Sequence, residues 1–390
     1  MSIQIQIPSS NIKISGIVLA NNSSCNAVID GSSNVSFSSF RNVLNNRNKH
    51  FVQQQDVNVT GIDNHTSSLV NDKIYIIGGS IGVNTYTNKV LVYDISNNSW
   101  STDSTNGIER LSHSANYYQP TQRIYLFGGK NNTTNYNDTK YYDIASKTLT
   151  TVSLSTKPSA RSGHAYTSTY YYGYGDKMYI IGGIDNNGTY LNDTWYFDIL
   201  SEEWNEVTTS GTPPDGRINS SCIYYHGDGG AGGEKKIYLF GGFSGNSTYH
   251  NNVHILDLTT DLDGSWSNVT ISGSSPDVMS GHTMNYLPGS DCFLVFGGFS
   301  SIGDSTYYND IWKFNMRTNT WIKDYNNTVS VPSGIHLHTS VLYNDTTTKL
   351  FVFGGRTETG GLQNKTWRCD IGYVLTEPLK ISDLSGQTFY

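Results

Sequence analysis

Six times along this chain a short β-type run ends in a glycine pair: IYIIGG at Gly78-Gly79, IYLFGG at Gly128-Gly129, MYIIGG at Gly182-Gly183, IYLFGG at Gly241-Gly242, FLVFGG at Gly297-Gly298 and LFVFGG at Gly354-Gly355. The pairs are 50, 54, 59, 56 and 57 residues apart. Downstream of each comes an Asn and then a strand ending in Asp94, Asp143, Asp198, Asp257, Asn315 or Asp370. All seven Trp fall into two slots, one mid-strand (Trp195, Trp312, Trp367) and one later (Trp100, Trp204, Trp266, Trp321), with Leu149 in the later slot of the second unit. Upstream of each pair lies a further strand, opened by His65, His113, His164, Ser220, His282 or His338. Each unit reads as four short strands divided by Gly, Asn and Asp turns, with no helical period. A four-stranded unit of this size cannot cover its own two faces, so its copies must stack radially, which makes an all-β, β-propeller architecture.

The Gly pair, the Asn-Asp-x-Trp-x-Phe-Asp strand, the later Trp and the Arg-x-x-His strand together resemble the kelch repeat. The resemblance spans residues 61–371 and implies a propeller of the kelch and galactose-oxidase type, whose commonest use is protein binding. Residues 1–60 read as a closing strand, SIQIQIP, plus a degenerate first repeat around Asp30-Gly31-Ser32, with residues 372–390 as a tail. That count favours seven four-stranded blades. The alternative is six blades, closed by the strand around Phe51, with an N-terminal extension.

A net charge of -7 offers no general attraction to nucleic acid or anionic lipid. The N-terminus carries neither a basic n-region nor an apolar run long enough to cross a membrane, so a cytoplasmic monomer without membrane insertion is expected. Cys25, Cys222, Cys292 and Cys369 show no CxxC spacing and are expected as free thiols. The chain holds 17 Asn-x-Ser/Thr sequons, against about 9 expected for random order. Several belong to the repeated Asn-Asp-Thr turn, and a secreted, glycan-binding glycoprotein is the minority reading.

The repeated His is read as a hydrogen-bonding core position, because Ser220 replaces it once. His336 and His338, at i and i+2, are placed on one face of a strand and read as structural. No phosphate loop, zinc spacing or compact acid cluster is found, so no catalytic residue, metal or cofactor is assigned. An enzyme acting on a carbohydrate or through a metal is the alternative class, since the copper oxidases, iron-dependent specifier proteins and mutarotases that the fold resembles are enzymes. Binding candidates lie on loops and on one repeat slot. Tyr86, Tyr136, Tyr190, Tyr249 and Tyr307 stand one or two residues before the Asn of their units. Arg110, Arg161 and Arg217 occupy one slot in consecutive units where the others carry Ile62, Met279 and Ile335. Three cations along one arc suit an acidic peptide. The expectation is therefore a non-catalytic scaffold that binds a partner protein, with the Gly-rich stretch His226 to Glu234 as a hairpin tip.

Overall fold

The computed structural model describes residues 51–372, apart from Asn58, 105–107, 170–175, 228–233, 259–262, 288–289, Asp304, 324–331 and Thr346. Its strands form six antiparallel blades, each laid down from the centre of a ring outward. Blade 1 consists of Thr66–Val70, Lys73–Ile77, Val90–Asp94 and Ser99–Ser104, from inner to outer strand. Blades 2 to 5 begin with Ser114–Tyr118, Ala165–Ser168, Ser221–His226 and Thr283–Leu287 and repeat the order. Blade 6 takes Thr339–Asn344, Thr348–Phe353 and Thr366–Gly372 from the end of the described chain, and its outer strand, Phe51–Gln53, from the beginning.

Blade stacking explains the strand sequences. A second strand has a neighbouring blade on both faces, so Ile74 to Ile77 and Cys292 to Phe296 are buried at every residue and read as unbroken apolar runs rather than alternating ones. The buried apolar residues fall into six clusters, one at each interface, including one between blade 6 and blade 1 built on Phe351, Phe353, Ile74, Ile76 and Tyr93. The later Trp is an inter-blade clamp. Trp204 lies 4.7 Å from Phe127 of blade 2, Trp321 lies 4.9 Å from Phe240 of blade 4, and Trp100 lies 5.6 Å from Phe353 of blade 6. The repeated Asp shapes the turn into that strand. Asp94, Asp143 and Asp198 accept backbone N–H groups three residues on, at 2.9, 3.0 and 3.2 Å, an Asx turn that also admits Asn315.

The ring closes with six blades, which corrects the preference for seven. Phe51 pairs with Cys369 as Trp204 pairs with Phe197, and its ring lies 5.1 Å from Phe296 of blade 5, so Phe51 fills the Trp slot of blade 6. At the mouth of the ring the residues before each His form a cycle of backbone hydrogen bonds of 2.8 to 2.9 Å: Asn64 donates to Leu337, Leu337 to Gly281, Gly281 to Asn219, Asn219 to Gly163, Gly163 to Ser112 and Ser112 to Asn64. All six have φ between 51° and 68°. The cycle has no opening through which a seventh blade could enter. SIQIQIP, the proposed degenerate repeat and the tail from residue 373 lie outside the described residues, as does Cys25, while Cys222, Cys292 and Cys369 are buried free thiols. Gly227 donates to the Glu234 carbonyl at 2.9 Å between the first two strands of blade 4, and residues 228–233 of the expected hairpin tip lie outside the described residues.

Candidate binding face

The Gly pairs, the His slot, the Arg slot and the Tyr loops all gather on one face of the ring, because a second strand ends where the inner strand beside it begins. The first Gly of a pair makes room for the imidazole of the next blade. A Cβ on Gly78 would lie 2.6 Å from Cε1 of His113, and one on Gly297 would lie 2.5 Å from Cε1 of His338. The second Gly passes over the His of its own blade, at 2.7 Å for Gly79 on His65 Cβ, and its N–H donates to the Arg-slot carbonyl of the following blade, as Gly79 does to Arg110 at 2.8 Å. Positive φ at both residues makes the pair obligatory.

The imidazoles are all buried, and three of the five hydrogen-bond a neighbouring blade, while neither ring nitrogen of His164 or His282 has a partner among the described residues. His65, His113 and His338 place Nε2 2.8, 3.1 and 3.2 Å from Thr339, Thr66 and Thr283 of the preceding blades. Burial pushes His65, His164, His282 and His338 down to about 3, so they are neutral. Inside this ring runs a channel of about 740 Å³ whose lining, among the described residues, includes Asn116, Ser220, Thr283 and Asn285 but no Asp, Glu, Lys or Arg. Among the described residues no group of three or more His, Cys, Asp or Glu is arranged to hold a metal. His336 and His338 do not share a face: Leu337 between them has φ 55°, which breaks the strand alternation and turns His336 outward onto Phe299 at 5.0 Å. The string from Gly78 to Gly82 spells Gly-x-Ser-x-Gly, yet Ser80 is buried, donates to the Gly82 carbonyl at 2.8 Å and opens a strand-to-strand loop.

The arginine arc is corrected. Arg110 binds Asp138 through both terminal nitrogens at 2.5 and 3.0 Å and also reaches the Gly128 carbonyl. Arg161, 1% exposed, does the same with Asp193 and Gly182 and gives its remaining donors to Ser159. Burial alone would raise Asp138 and Asp193, but hydrogen bonds and charge from their Arg partners outweigh it and hold both below the usual carboxylate range. These two Arg are internal ties within their blades. Arg217 sits on the matching Gly241 carbonyl at 3.0 Å and on the Asp215 carbonyl at 2.9 Å, but the residue aligned with Asp138 and Asp193 is Asn252. Burial lowers Arg217 to about 10 against the opposing charge of Asp215.

The tyrosines divide. Tyr136 is one residue out of register with the others, its place being held by Asn135, and its ring carries the Arg110 guanidinium at 4.2 Å. Tyr86 hydrogen-bonds Asn132 of the next blade. Tyr190, Tyr249 and Tyr307, all half-buried, join residues that sequence reasoning passed over. Phe243 and Phe299, each directly after a Gly pair, link them into one arc: Tyr190 to Phe243 at 6.0 Å, Phe243 to Tyr249 at 4.9 Å, Tyr249 to Phe299 at 6.0 Å and Phe299 to Tyr307 at 4.8 Å. His336 ends the arc, 5.2 Å from Tyr307. The signal was present in the two GGF strings, where the other units carry Ser80, Lys130, Ile184 and Arg356.

The KLHDC2/KLHL20/DRC7 Kelch-repeats domain matches residues 64–235 and 230–383. The chain is 26% identical over 275 residues to Kelch domain-containing protein 3 of Bos taurus, with 66% of each covered. It is 28% identical over 330 residues to the Leucine-zipper-like transcriptional regulator 1 homolog of Drosophila melanogaster, covering 78% of this chain but 30% of that one. Among solved structures YjhT superposes with a TM-score of 0.61 at 18% identity, covering 80% of this chain and 95% of that one, a likeness of fold. The matched repeats, the Gly pairs interleaved with the His ring and the closed set of blades make this chain a member of the kelch-repeat β-propeller family.

Proposed function

We propose that the protein is a non-catalytic scaffold that binds a partner protein or peptide on the face carrying the Gly-pair loops. One observation carries this reading: the half-exposed arc of Tyr190, Phe243, Tyr249, Phe299 and Tyr307 across blades 3 to 5. Aromatic rings held by their neighbours lose little side-chain freedom on binding and bury large areas, which is why they serve as anchors in protein interfaces. Here they stand on short loops fixed by a rigid ring, the usual placement for recognition residues. Membership of the kelch family, whose commonest use is protein binding, supports the same direction. Net negative charge and buried free thiols fit a soluble monomer in a reducing, cytoplasmic compartment that does not bind nucleic acid or membranes. The test is affinity capture from the native cell with wild type and with a Phe243→Ser/Phe299→Ser double variant. The variant should keep the wild-type melting profile and lose most of the captured protein. Unchanged capture by a folded double variant would refute the assignment of this face.

A further inference from the structure

We infer that Arg217 is an open carboxylate site, completed by an acidic side chain that the partner inserts. This rests on the scaffold reading above and adds what chemistry the partner must bring. Three equivalent positions differ at one partner. Arg110, Arg161 and Arg217 each place a terminal nitrogen on the first Gly carbonyl of their blade, Gly128, Gly182 or Gly241. In blades 2 and 3 the other edge of the guanidinium is closed by Asp138 and Asp193, each immediately before the third-strand residue, Thr139 or Thr194, that pairs with the second strand. Blade 4 keeps that register, Val253 pairing with Phe240, but puts Asn252 in the Asp position, exposed to solvent. Among the described residues Arg217 has no ion pair, although it is only 3% exposed.

A buried guanidinium has five donors and no way to shed its charge, so a missing carboxylate leaves an unmet demand that water satisfies poorly. Among the described residues no carboxylate closes the second edge of the guanidinium: Asp215 acts on it only at a distance, as an exposed opposing charge. Asp215 gives its main-chain carbonyl, His250 is occupied with Ser244 at 2.9 Å, and both His250 and His254 are kept neutral by burial and by the neighbouring Arg217. Arg217 lies against the loop that carries the aromatic arc: a Cβ on Gly242, the residue before Phe243, would be 3.2 Å from its Cδ, and its charge acts on His250, which Tyr249 directly precedes. An extended segment laid across Phe243 and Tyr249 could therefore lower one Asp or Glu onto Arg217, reproducing from outside the pair that blades 2 and 3 make from within.

The experiment is thermal denaturation of the full chain in 100 mM acetyl-aspartate α-amide, which offers only a side-chain carboxylate, against sodium chloride of equal ionic strength. Wild type should melt about 1–2 °C higher with the ligand. Asn252→Asp fills the position with an internal acid, so it should melt higher than wild type in chloride and lose the ligand response. Asp138→Asn opens a second such site and should gain response. Equal responses in wild type and N252D, or no response in wild type, would overturn the inference. So would a response to acetylglycine, which presents a chain-terminal carboxylate, without one to the aspartate amide. Because the titration uses no partner, its failure leaves the aromatic-face reading standing or falling on the Phe243/Phe299 capture alone.

Discussion

Blades 3 and 4 are neighbours built to one pattern, and blade 4 changes three of the polar and aromatic slots that blade 3 fills. Blade 3 has His164, the Arg161–Asp193 pair, and Trp195 donating its Nε1 to Asp193 at 2.8 Å. Blade 4 has Ser220, Arg217 with Asn252 in the Asp position, and His254 where Trp195 stands. Blade 4 also gains a fifth strand, Thr208–Gly211, laid parallel on its outer edge. The backbone registers of the two blades nevertheless agree. Fold is thus carried by the Gly pairs, the apolar second strands and the outer Trp, while the polar slots vary in coupled sets. When one member of a set is missing and the other stays, as with Arg217, the remainder marks a position freed from the fold's own needs.

The largest expected effect comes from pH and follows the His slot. His65, His164, His282 and His338 titrate at about 3 when folded, and burial holds His113 well below its ordinary value too, against 6.5 for the unfolded chain. The folded values are depressed, so the neutral ring is fully stabilising above pH 6.5 and its contribution is lost as pH falls from there toward about 3. Each such His costs about 1.4 kcal/mol per pH unit in that window. His164→Ser, which copies blade 4, should flatten the measured slope by about that amount; an unchanged slope between pH 6 and 4.5 would mean that this imidazole is charged inside the fold.

Next in size is the clamp. Trp204→Ala should cost about 3–5 kcal/mol in denaturant unfolding, since the ring is buried between Phe127 and Phe197. Its blade 4 counterpart sharpens the point. Trp204 Nε1 donates to Thr139 at 2.8 Å, whereas buried Trp266 Nε1 has no acceptor. Trp204→Phe should therefore cost about 1 kcal/mol more than Trp266→Phe, since both lose buried ring volume but only the first loses a hydrogen bond.

Asp193→Asn turns the Arg slot of blade 3 into that of blade 4. It should destabilise by about 2–3 kcal/mol, because a charge-assisted pair on a buried Arg is removed. A loss below 0.5 kcal/mol would show that the internal Arg–Asp ties are dispensable. The smallest effect concerns the backbone cycle at the mouth. Leu337 is held at φ 55°, where Asn64 and Asn219 stand in blades 1 and 4. Leu337→Asn should stabilise by about 0.5–1 kcal/mol, as Asn tolerates the left-handed region better than Leu.

The repeat was legible because its spacing and its Trp slots are one-dimensional facts, and residues that recur at a fixed step must stack. The blade count was not, because closure depends on which residue fills the Trp slot of the last blade, and Phe51 lies more than 300 residues from its pairing partner Cys369. The Arg slot was seen but its meaning was hidden. Asp138 and Asp193 read as turn residues in an Asn-Asp-Thr string, and only the fold brings them onto the guanidinium from 28 and 32 positions away. The tyrosine signal was partly sound. Tyr190, Tyr249 and Tyr307 do share a rim, but the Phe residues that join them look in sequence like ordinary ends of a strand.

A six-blade ring shut by Phe51–Gln53 is tested most directly by the unfolding of a chain that begins at Asn45. It retains the closing strand and drops everything before it. If six blades close the ring, this chain should be monomeric and should unfold with the midpoint and cooperativity of the full protein. Aggregation, or a midpoint lowered by several degrees, would mean that residues 1–44 complete the propeller and that the ring has been counted wrongly.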